Sequence, residues 1–403
     1  MQIQSKELFS KLAIQMNDSS VSEILKVIQK SSVISLAGGM PDPKTFPVEE
    51  FKKICAKILN NDSAMALQYS STEGYIKLRE FLSHWLNLNR DFFSKDNIII
   101  SSGSQQGLDL VSKVLLNPGD VVIVELPSYL AALNSFRSYG AEIIGIPMDS
   151  EGIQLDFLEN TLNELSKMGK AIKFIYTISN FQNPAGVTVS LPRRKKILEI
   201  AMHYDLFILE DDPYGKLRFE GDPIPSISSF DHEGRVISLG TFSKILCPGL
   251  RLAWIVGNKE IIEKMIILKG ATDVCTPMLN QLMAYEFCLE GNLDKNIQSN
   301  ISVYKKKKDI MLRSLEKYFP TETSWTKPEG GFFVFVTLPD YIDANQMFYE
   351  SIEENVAYVS GSTFYANGKG QNTLRLSFSY PKEEDINEGI KRLGRVIARR
   401  IKK

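Results

Sequence analysis

Between residues 97 and 256 the chain alternates short, nearly unbroken apolar runs with longer amphipathic segments. The runs are Asn97–Ser101, Val121–Glu125, Glu142–Ile146, Ile172–Ile178, Leu206–Glu210, Arg235–Gly240 and Leu252–Val256. Runs rich in Val and Ile, without apolar–polar alternation, are what strands covered on both faces require. Helical periodicity occupies roughly 105–117, 129–139, 192–204 and 258–270. This alternation predicts an α/β fold with a mostly parallel, seven-stranded sheet covered by helices. The last pair of strands breaks the rule. Only eleven residues separate Gly240 from Leu252, too few for a helical crossover. The final strand is therefore expected to be antiparallel, and the short connection carries Lys244.

After about Asn292 the pattern changes. A Lys-rich helix leads to a strand at Phe332–Leu338, a helix near Ala344–Asn355, a strand at Thr373–Ser379 and a final helix from Lys382. The expected division is an N-terminal arm, 1–45, packing with a small domain; a large domain, 46–291; and a small α+β C-terminal domain, 292–403. Prolines at 41, 43 and 47 punctuate the end of the arm.

Composition narrows the partners. The chain has 403 residues, 43% of them apolar, and a net charge of −1. No global field draws it to nucleic acid or to a membrane surface. Lys305–Lys308 and the run Arg392–Lys403 are basic but lie in helical sequence, and read as solvated helix faces. Apolar stretches are only a few residues long, against about 20 for a membrane span. The opening residues, Met1–Lys11, lack the apolar core of a secretory signal. Four cysteines, Cys55, Cys247, Cys275 and Cys288, have no CxxC spacing. They are expected to be reduced thiols of a cytoplasmic protein. His84, His203 and His232 lie far apart, so no metal site is expected.

Four segments carry candidate chemistry. Ser101-Ser102-Gly103-Ser104-Gln105-Gln106-Gly107 follows a strand and opens a helix. Such a turn presents free N–H groups and hydroxyls to an anion, although plain helix capping also explains it. Asn180-Phe181-Gln182-Asn183-Pro184-Ala185-Gly186 lies just beyond a strand, and alone reads equally as a polar turn. Glu210-Asp211-Asp212-Pro213-Tyr214 closes an apolar strand, at the end where ligands of open α/β sheets bind. Gly240-Thr241-Phe242-Ser243-Lys244, followed by Pro248-Gly249-Leu250-Arg251, places a lysine just after a buried strand.

Taken in order, these segments resemble the class I/II aminotransferases of the fold-type I pyridoxal-phosphate enzymes. The likeness runs from about Leu36 to Tyr380. It is nearest the subgroup of 2-aminoadipate, kynurenine and multi-substrate aminotransferases, through Leu36-Ala37-Gly38-Gly39-Met40-Pro41, Leu67-Gln68-Tyr69, Gly74–Glu80 and Pro127-Ser128-Tyr129. The spacing of 28 residues from Asn183 to Asp211 and three from Asp211 to Tyr214 is part of the match.

The resemblance implies the following roles. Lys244 matches the lysine that joins pyridoxal 5′-phosphate covalently and later carries a proton. An amine does both only if its pKa falls toward neutrality. Asp211 matches the carboxylate facing the pyridine nitrogen. Asn183 and Tyr214 match donors to the ring 3′-oxygen, and Tyr129 matches the aromatic ring stacked on the cofactor. Ser104, Gln105, Thr241, Ser243 and Arg251 match a phosphate seat. Tyr69 matches the tyrosine that reaches the neighbouring subunit's phosphate, implying a homodimer with shared active sites. Arg375, in Leu374-Arg375-Leu376-Ser377-Phe378, matches the clamp on the substrate carboxylate, assisted by Gly39 and Asn183.

The implied reaction is ping-pong transfer of an amino group from an aromatic, aliphatic or 2-aminoadipate-like L-amino acid to a 2-oxo acid, with 2-oxoglutarate the expected acceptor. A cysteine-conjugate β-lyase and a non-catalytic pyridoxal-phosphate sensor are the alternatives. The sensor is disfavoured because no basic DNA-binding domain is read before Leu36. Three departures from the pattern stand out. Ser179 and Ala185 stand where relatives often have proline and threonine. Ser22 stands where relatives that handle acidic side chains often carry an arginine, in a helix whose apolar face would be Val21, Ile24, Leu25 and Ile28. A preference for aromatic and aliphatic donors over 2-aminoadipate is expected from it.

Overall fold

The computed structural model describes residues 8–15, 33–86 and 94–402. Its centre is an eight-stranded sheet. The strands are β1 (Ile98–Ser101), β2 (Val121–Leu126), β3 (Glu142–Asp149), β4 (Gly152–Ile153), β5 (Ile172–Thr177), β6 (Phe207–Asp211), β7 (Val236–Thr241) and β8 (Ala253–Val256). They lie in the order β1-β8-β7-β6-β5-β2-β3-β4. The seven strands expected from the apolar runs are all present, joined by the two-residue edge strand β4. The core from β7 through β6, β5 and β2 to β3 is parallel. Strand β8 runs antiparallel to both β1 and β7, as the short Gly240–Leu252 connection requires.

Helices cover both faces because the strands bury both. Ile123 and Ile175 pack under helices Leu155–Lys167 and Leu191–His203, while Val122, Val124 and Phe174 pack under Ser104–Leu115 and Leu130–Ser138. Helices Val48–Asn61, Leu155–Lys167 and Met278–Cys288 were not anticipated from the sequence. The first shows why: only Ile58 in it is fully buried, and Val48 and Leu59 are exposed.

Helix Asn292–Tyr318 leads into a second sheet. Its strands are β9 (Ser324–Trp325), β10 (Phe333–Thr337), β11 (Val359–Ser360) and β12 (Thr373–Ser377), in the order β9-β10-β12-β11, all antiparallel. Helices Ala344–Glu353 and Glu383–Ile401 pack with it. Ile34–Ser35 pairs in parallel with Val356–Ala357, which delivers Leu36–Gly39 to the edge between the two sheets. Among the described residues, no helix is long and apolar enough to cross a membrane.

The two basic runs differ from each other. Arg392, Arg395, Arg399 and Arg400 form surface ion pairs with Glu388, Glu354 and Glu350, as a solvated face should. Lys307 and Lys308 do not fit that expectation. Lys307 is buried, with Nζ 2.5 Å from Asp42 Oδ2 and 2.9 Å from the Ser379 carbonyl. Lys308, also buried, reaches Glu220. Breaking a buried pair leaves an uncompensated charge, at a cost of about 3–5 kcal/mol. Lys307→Ala should therefore lower stability in urea by about 3 kcal/mol, whereas Lys52→Ala, at the exposed Glu49 pair, should lower it by less than about 1 kcal/mol. Equal losses in the two variants would refute the assignment.

Candidate active site

Three neighbouring parallel strands, β5, β6 and β7, end at the same edge of the sheet, and the candidate loops leave from there. β8 is antiparallel to both β1 and β7, so β1 also ends at that edge.

Asp211 closes β6 and is 2% exposed. Its Oδ2 accepts from the Tyr176 hydroxyl at 3.0 Å. Among the described residues, nothing hydrogen-bonds Oδ1, although that atom is buried. Burial raises the carboxyl pKa to about 7; the Tyr176 hydrogen bond opposes the rise and the charge of Asp212 adds to it. A buried carboxylate oxygen without a donor is costly, and fits a site that receives a cationic N–H.

Lys244 lies just past β7. Its Nζ donates to the Gly39 carbonyl at 3.0 Å and lies 5.8 Å from the Phe332 ring centre. Burial, then the charges of Arg375 and Arg251, lower its pKa to about 8. That is the direction an amine nucleophile and base needs.

Arg375 stands in the middle of β12. Its Nη1 donates to Asn183 Oδ1 and its Nη2 to the Ala37 carbonyl, each at 2.7 Å. The guanidinium is sandwiched between the rings of Phe333 at 4.2 Å and Phe364 at 4.8 Å. Burial brings its pKa down to about 10, which still leaves it charged at neutral pH. Nε is buried and unpartnered among the described residues. Because the Asn183 oxygen accepts from Arg375, its amide N–H groups remain as donors.

Tyr214 is buried against Phe332 and Phe333, and burial raises its pKa. Tyr129, half-buried at the start of helix Leu130–Ser138, is raised by burial and then by the Asp211 charge. These groups and Arg375 all interact electrostatically, so they share one site.

The anion-binding features gather at Ser104, the first residue of helix Ser104–Leu115. Gly103 caps it at φ +82°, a conformation that suits glycine, and the Arg251 guanidinium lies where a β-carbon would be. Arg251 Nη2 reaches the Ser102 carbonyl at 3.4 Å. Ser104 Oγ is buried and unpartnered among the described residues. Gln105 is exposed. Thr241 is already engaged: its hydroxyl donates to Ser243 Oγ at 3.0 Å and accepts from the Ser243 N–H, which fixes Ser243. The free donors at Ser104 and the guanidinium beside Gly103 suit a phosphate dianion.

The matching family model, Aminotransferase class I and II, spans residues 31–393. The chain belongs to that family. It is 48% identical to aromatic-amino-acid aminotransferase 1 of Thermococcus litoralis, over 99% of this chain and 96% of the relative. It is 41% identical to 2-aminoadipate transaminase of Thermus thermophilus, over 97% and 96%. The crystal structure of Pyrococcus horikoshii kynurenine aminotransferase, complexed with PMP, kynurenine and its product, superposes with a TM-score of 0.96 at 49% identity, covering 99% of each chain. This chain is thus an amino-group-transferring enzyme dependent on pyridoxal phosphate.

Sequence reasoning missed three contributors: Glu125, Phe333 and Phe364. Glu125, at 0% exposure, is the next-to-last residue of β2 and accepts from Thr177 Oγ1 at 2.5 Å, the Ile178 N–H at 3.2 Å and Gln182 Nε2 at 3.1 Å. Gln182 also donates to the Pro127 carbonyl and accepts from the Ala185 N–H. One carboxylate thereby ties the Tyr129 loop to the Asn183 loop. An acid near the end of an apolar strand, as at Asp211, was the available signal. Tyr69 is 78% exposed, so its own chain does not cover it. Ser22 and the helix expected around it from the sequence fall outside the described residues.

A carboxyl whose folded-state pKa is raised penalises folding progressively as pH climbs from its unfolded value toward its folded one. For Asp211 that window runs from 3.8 to about 7, and the penalty is on the order of 4 kcal/mol. The cofactor-free protein should lose stability between about pH 4 and pH 7, and Asp211→Asn should lose less. Parallel melting curves for the two proteins across this range would contradict the assignment.

Proposed function

We propose that the site exchanges the amino group of aromatic and aliphatic L-amino acids with 2-oxoglutarate, by a ping-pong route. The observation that carries this is that Lys244 and the unpartnered oxygen of Asp211 lie at one edge of the large sheet and that the buried Arg375, from the small sheet, reaches Asn183 there. Bound pyridoxal phosphate supplies the electron sink that lets an amino acid's α-proton leave.

The chain's residues would do the rest. Asp211 Oδ1 holds the ring nitrogen protonated. A unit pair at 4 Å and an effective dielectric of 20 is worth about 4 kcal/mol, roughly three pKa units. The Asn183 amide and the Tyr214 hydroxyl would serve as donors to the 3′-oxygen, and Tyr129 would supply an aromatic face for the ring. Ser104, Gln105, Ser243 and Arg251 hold the phosphate, with Thr241 acting through Ser243. Arg375 binds the α-carboxylate of donor and acceptor alike, with Gly39 beside it. Because both need the same clamp, they take turns, which is the ping-pong order. Lys244, with a pKa near 8, is partly neutral at working pH and can take and return the α-proton.

The homodimer belongs to the same reading. Leu67 and Tyr69 are exposed by 73% and 78%, and Val274 by 54%. Their segments adjoin, since the Ser70 N–H meets Cys275 Sγ. Such an apolar surface suits a second copy of the chain, into whose site Tyr69 would reach. The arm of 1–45, the large domain of 46–291 and the small domain of 292–403 are the division proposed, with the site between the latter two. The donor preference rests on Ser22; its aromatic part is supported by the name of the T. litoralis relative, while the T. thermophilus relative is named for 2-aminoadipate.

Borohydride reduction of the holoenzyme followed by peptide mapping should recover the cofactor on Lys244 alone, and Lys244→Ala should abolish turnover while the protein stays folded. Label on another lysine would overturn the mechanism. With 2-oxoglutarate as acceptor, kcat/KM for phenylalanine should exceed that for 2-aminoadipate, and Ser22→Arg should narrow the gap. A tenfold preference of the unmodified enzyme for 2-aminoadipate, about 1.4 kcal/mol, would refute the specificity argument.

A further inference from the structure

The turn that opens helix Ser104–Leu115 is gripped from behind by an ion pair with no part in the chemistry above. Lys269 and Asp273 stand one turn apart at the end of helix Lys259–Asp273, with Nζ 2.8 Å from Oδ1. The Lys269 side chain is 0% exposed and that of Asp273 26%. Lysine is almost never fully buried unless its charge is matched. The second oxygen, Asp273 Oδ2, accepts from Gln106 Nε2 at 2.7 Å and Ser102 Oγ at 3.3 Å. Gln106 Oε1 in turn accepts from the Ser102 N–H at 2.8 Å. Ser102 and Gln106 bracket Ser104, so Asp273 holds both sides of the turn.

That arrangement has an electrostatic difficulty. Burial would raise the Asp273 pKa, but hydrogen bonds from Lys269, Gln106 and Ser102 and the Lys269 charge hold it below the usual carboxylate range. A full negative charge therefore stands beside a helix N-terminus suited to an anion. Left alone, it would repel a phosphate dianion entering the same turn. A neutral hydrogen-bonding residue could have braced the turn without that conflict. A desolvated cation paired with the other oxygen of that carboxylate offsets its charge, and such a partly buried pair is screened less than one in open water.

We propose that Lys269 is a positioning residue for the cofactor's phosphate. It cancels the charge of Asp273, so that Asp273 can hold Ser102 and Gln106 in place without repelling the phosphate. The inference rests on the reading of Ser101–Gly107 as the phosphate seat. A pair that merely fastened two helices together would affect the fold and every ligand alike. A charge-balancing pair affects the phosphate selectively.

The test measures dissociation constants of pyridoxal 5′-phosphate and of pyridoxal, by absorbance titration of the full-length protein stripped of cofactor. The quantity read is their ratio, the preference for the phosphate-bearing form. Lys269→Met should lower this ratio at least tenfold, and Lys269→Met combined with Asp273→Asn should restore it to within threefold. Asp273→Asn alone should leave the ratio at or above the wild-type value, an expectation that holds even if Lys269→Met fails to fold. An unchanged ratio in Lys269→Met, equal weakening of both ligands, or a tenfold drop in Asp273→Asn would overturn the proposal. Ser104→Ala and Arg251→Ala report on the seat itself. If they lower the ratio and Lys269→Met does not, only the role of Lys269 falls. If neither lowers it, the seat is elsewhere and the inference falls with it.

Discussion

The site depends on one uncomfortable placement: a carboxylate sunk at the end of a central strand with an oxygen left bare. Asp211 is 2% exposed, and its Oδ1 has no donor among the described residues. Removing a carboxylate from water costs several kcal/mol after relaxation. Tyr176 meets only one of its oxygens. On the proposed reading, the rest of the compensation comes from a cation that arrives with the ligand. The desolvation that raises the Asp211 pKa would then favour a protonated ring nitrogen beside it. Lys244 obeys the converse rule: burial and two neighbouring cations disfavour its charge and ready it as a nucleophile and base.

Much of the remaining structure keeps these two groups and Arg375 in register. The parallel sheet aims the loops at one edge, and the antiparallel β8 turns the chain back so that Lys244 sits on a short, fixed connection. Phe333 serves two functions at once: its ring stacks on the Arg375 guanidinium and fills the space a β-carbon at Gly39 would need. Glu125 and Lys269–Asp273 act at one remove. They are ionisable groups that hold loops: Glu125 is met by three donors and Lys269 and Asp273 by each other.

How much of this was legible in the sequence follows from the range of the interactions. The seven long strands were readable because burial on both faces leaves an unbroken Val/Ile run, and the antiparallel β8 because chain length forbade a crossover. Asp211 and the lysine just past β7, Lys244, stood out because a charged residue at the end of an apolar run is a local anomaly, whereas Asn183 sits in a turn that was ambiguous until the family likeness gave it a role. Arg375 came from the likeness to a family, since its partners Asn183 and Ala37 lie 192 and 338 residues away in the chain. Contacts at such separation leave no local trace. Phe333 and Phe364 were missed because an aromatic residue reads as core until the fold sets it over a guanidinium. The Lys305–Lys308 run misled for the same cause. Its composition resembles any solvated helix face, and only the fold brings Asp42 and Glu220 to it.

The central claim is that Asp211 keeps the ring nitrogen of the bound cofactor protonated. Its most direct test is the nitrogen-15 chemical shift of ring-labelled pyridoxal phosphate bound to the protein, followed from pH 6 to pH 9. A shift that stays in the protonated range throughout, and moves to the neutral range in Asp211→Asn, is the predicted result. A nitrogen that titrates within that range in the unmodified protein, or reads neutral at pH 7, would contradict the account.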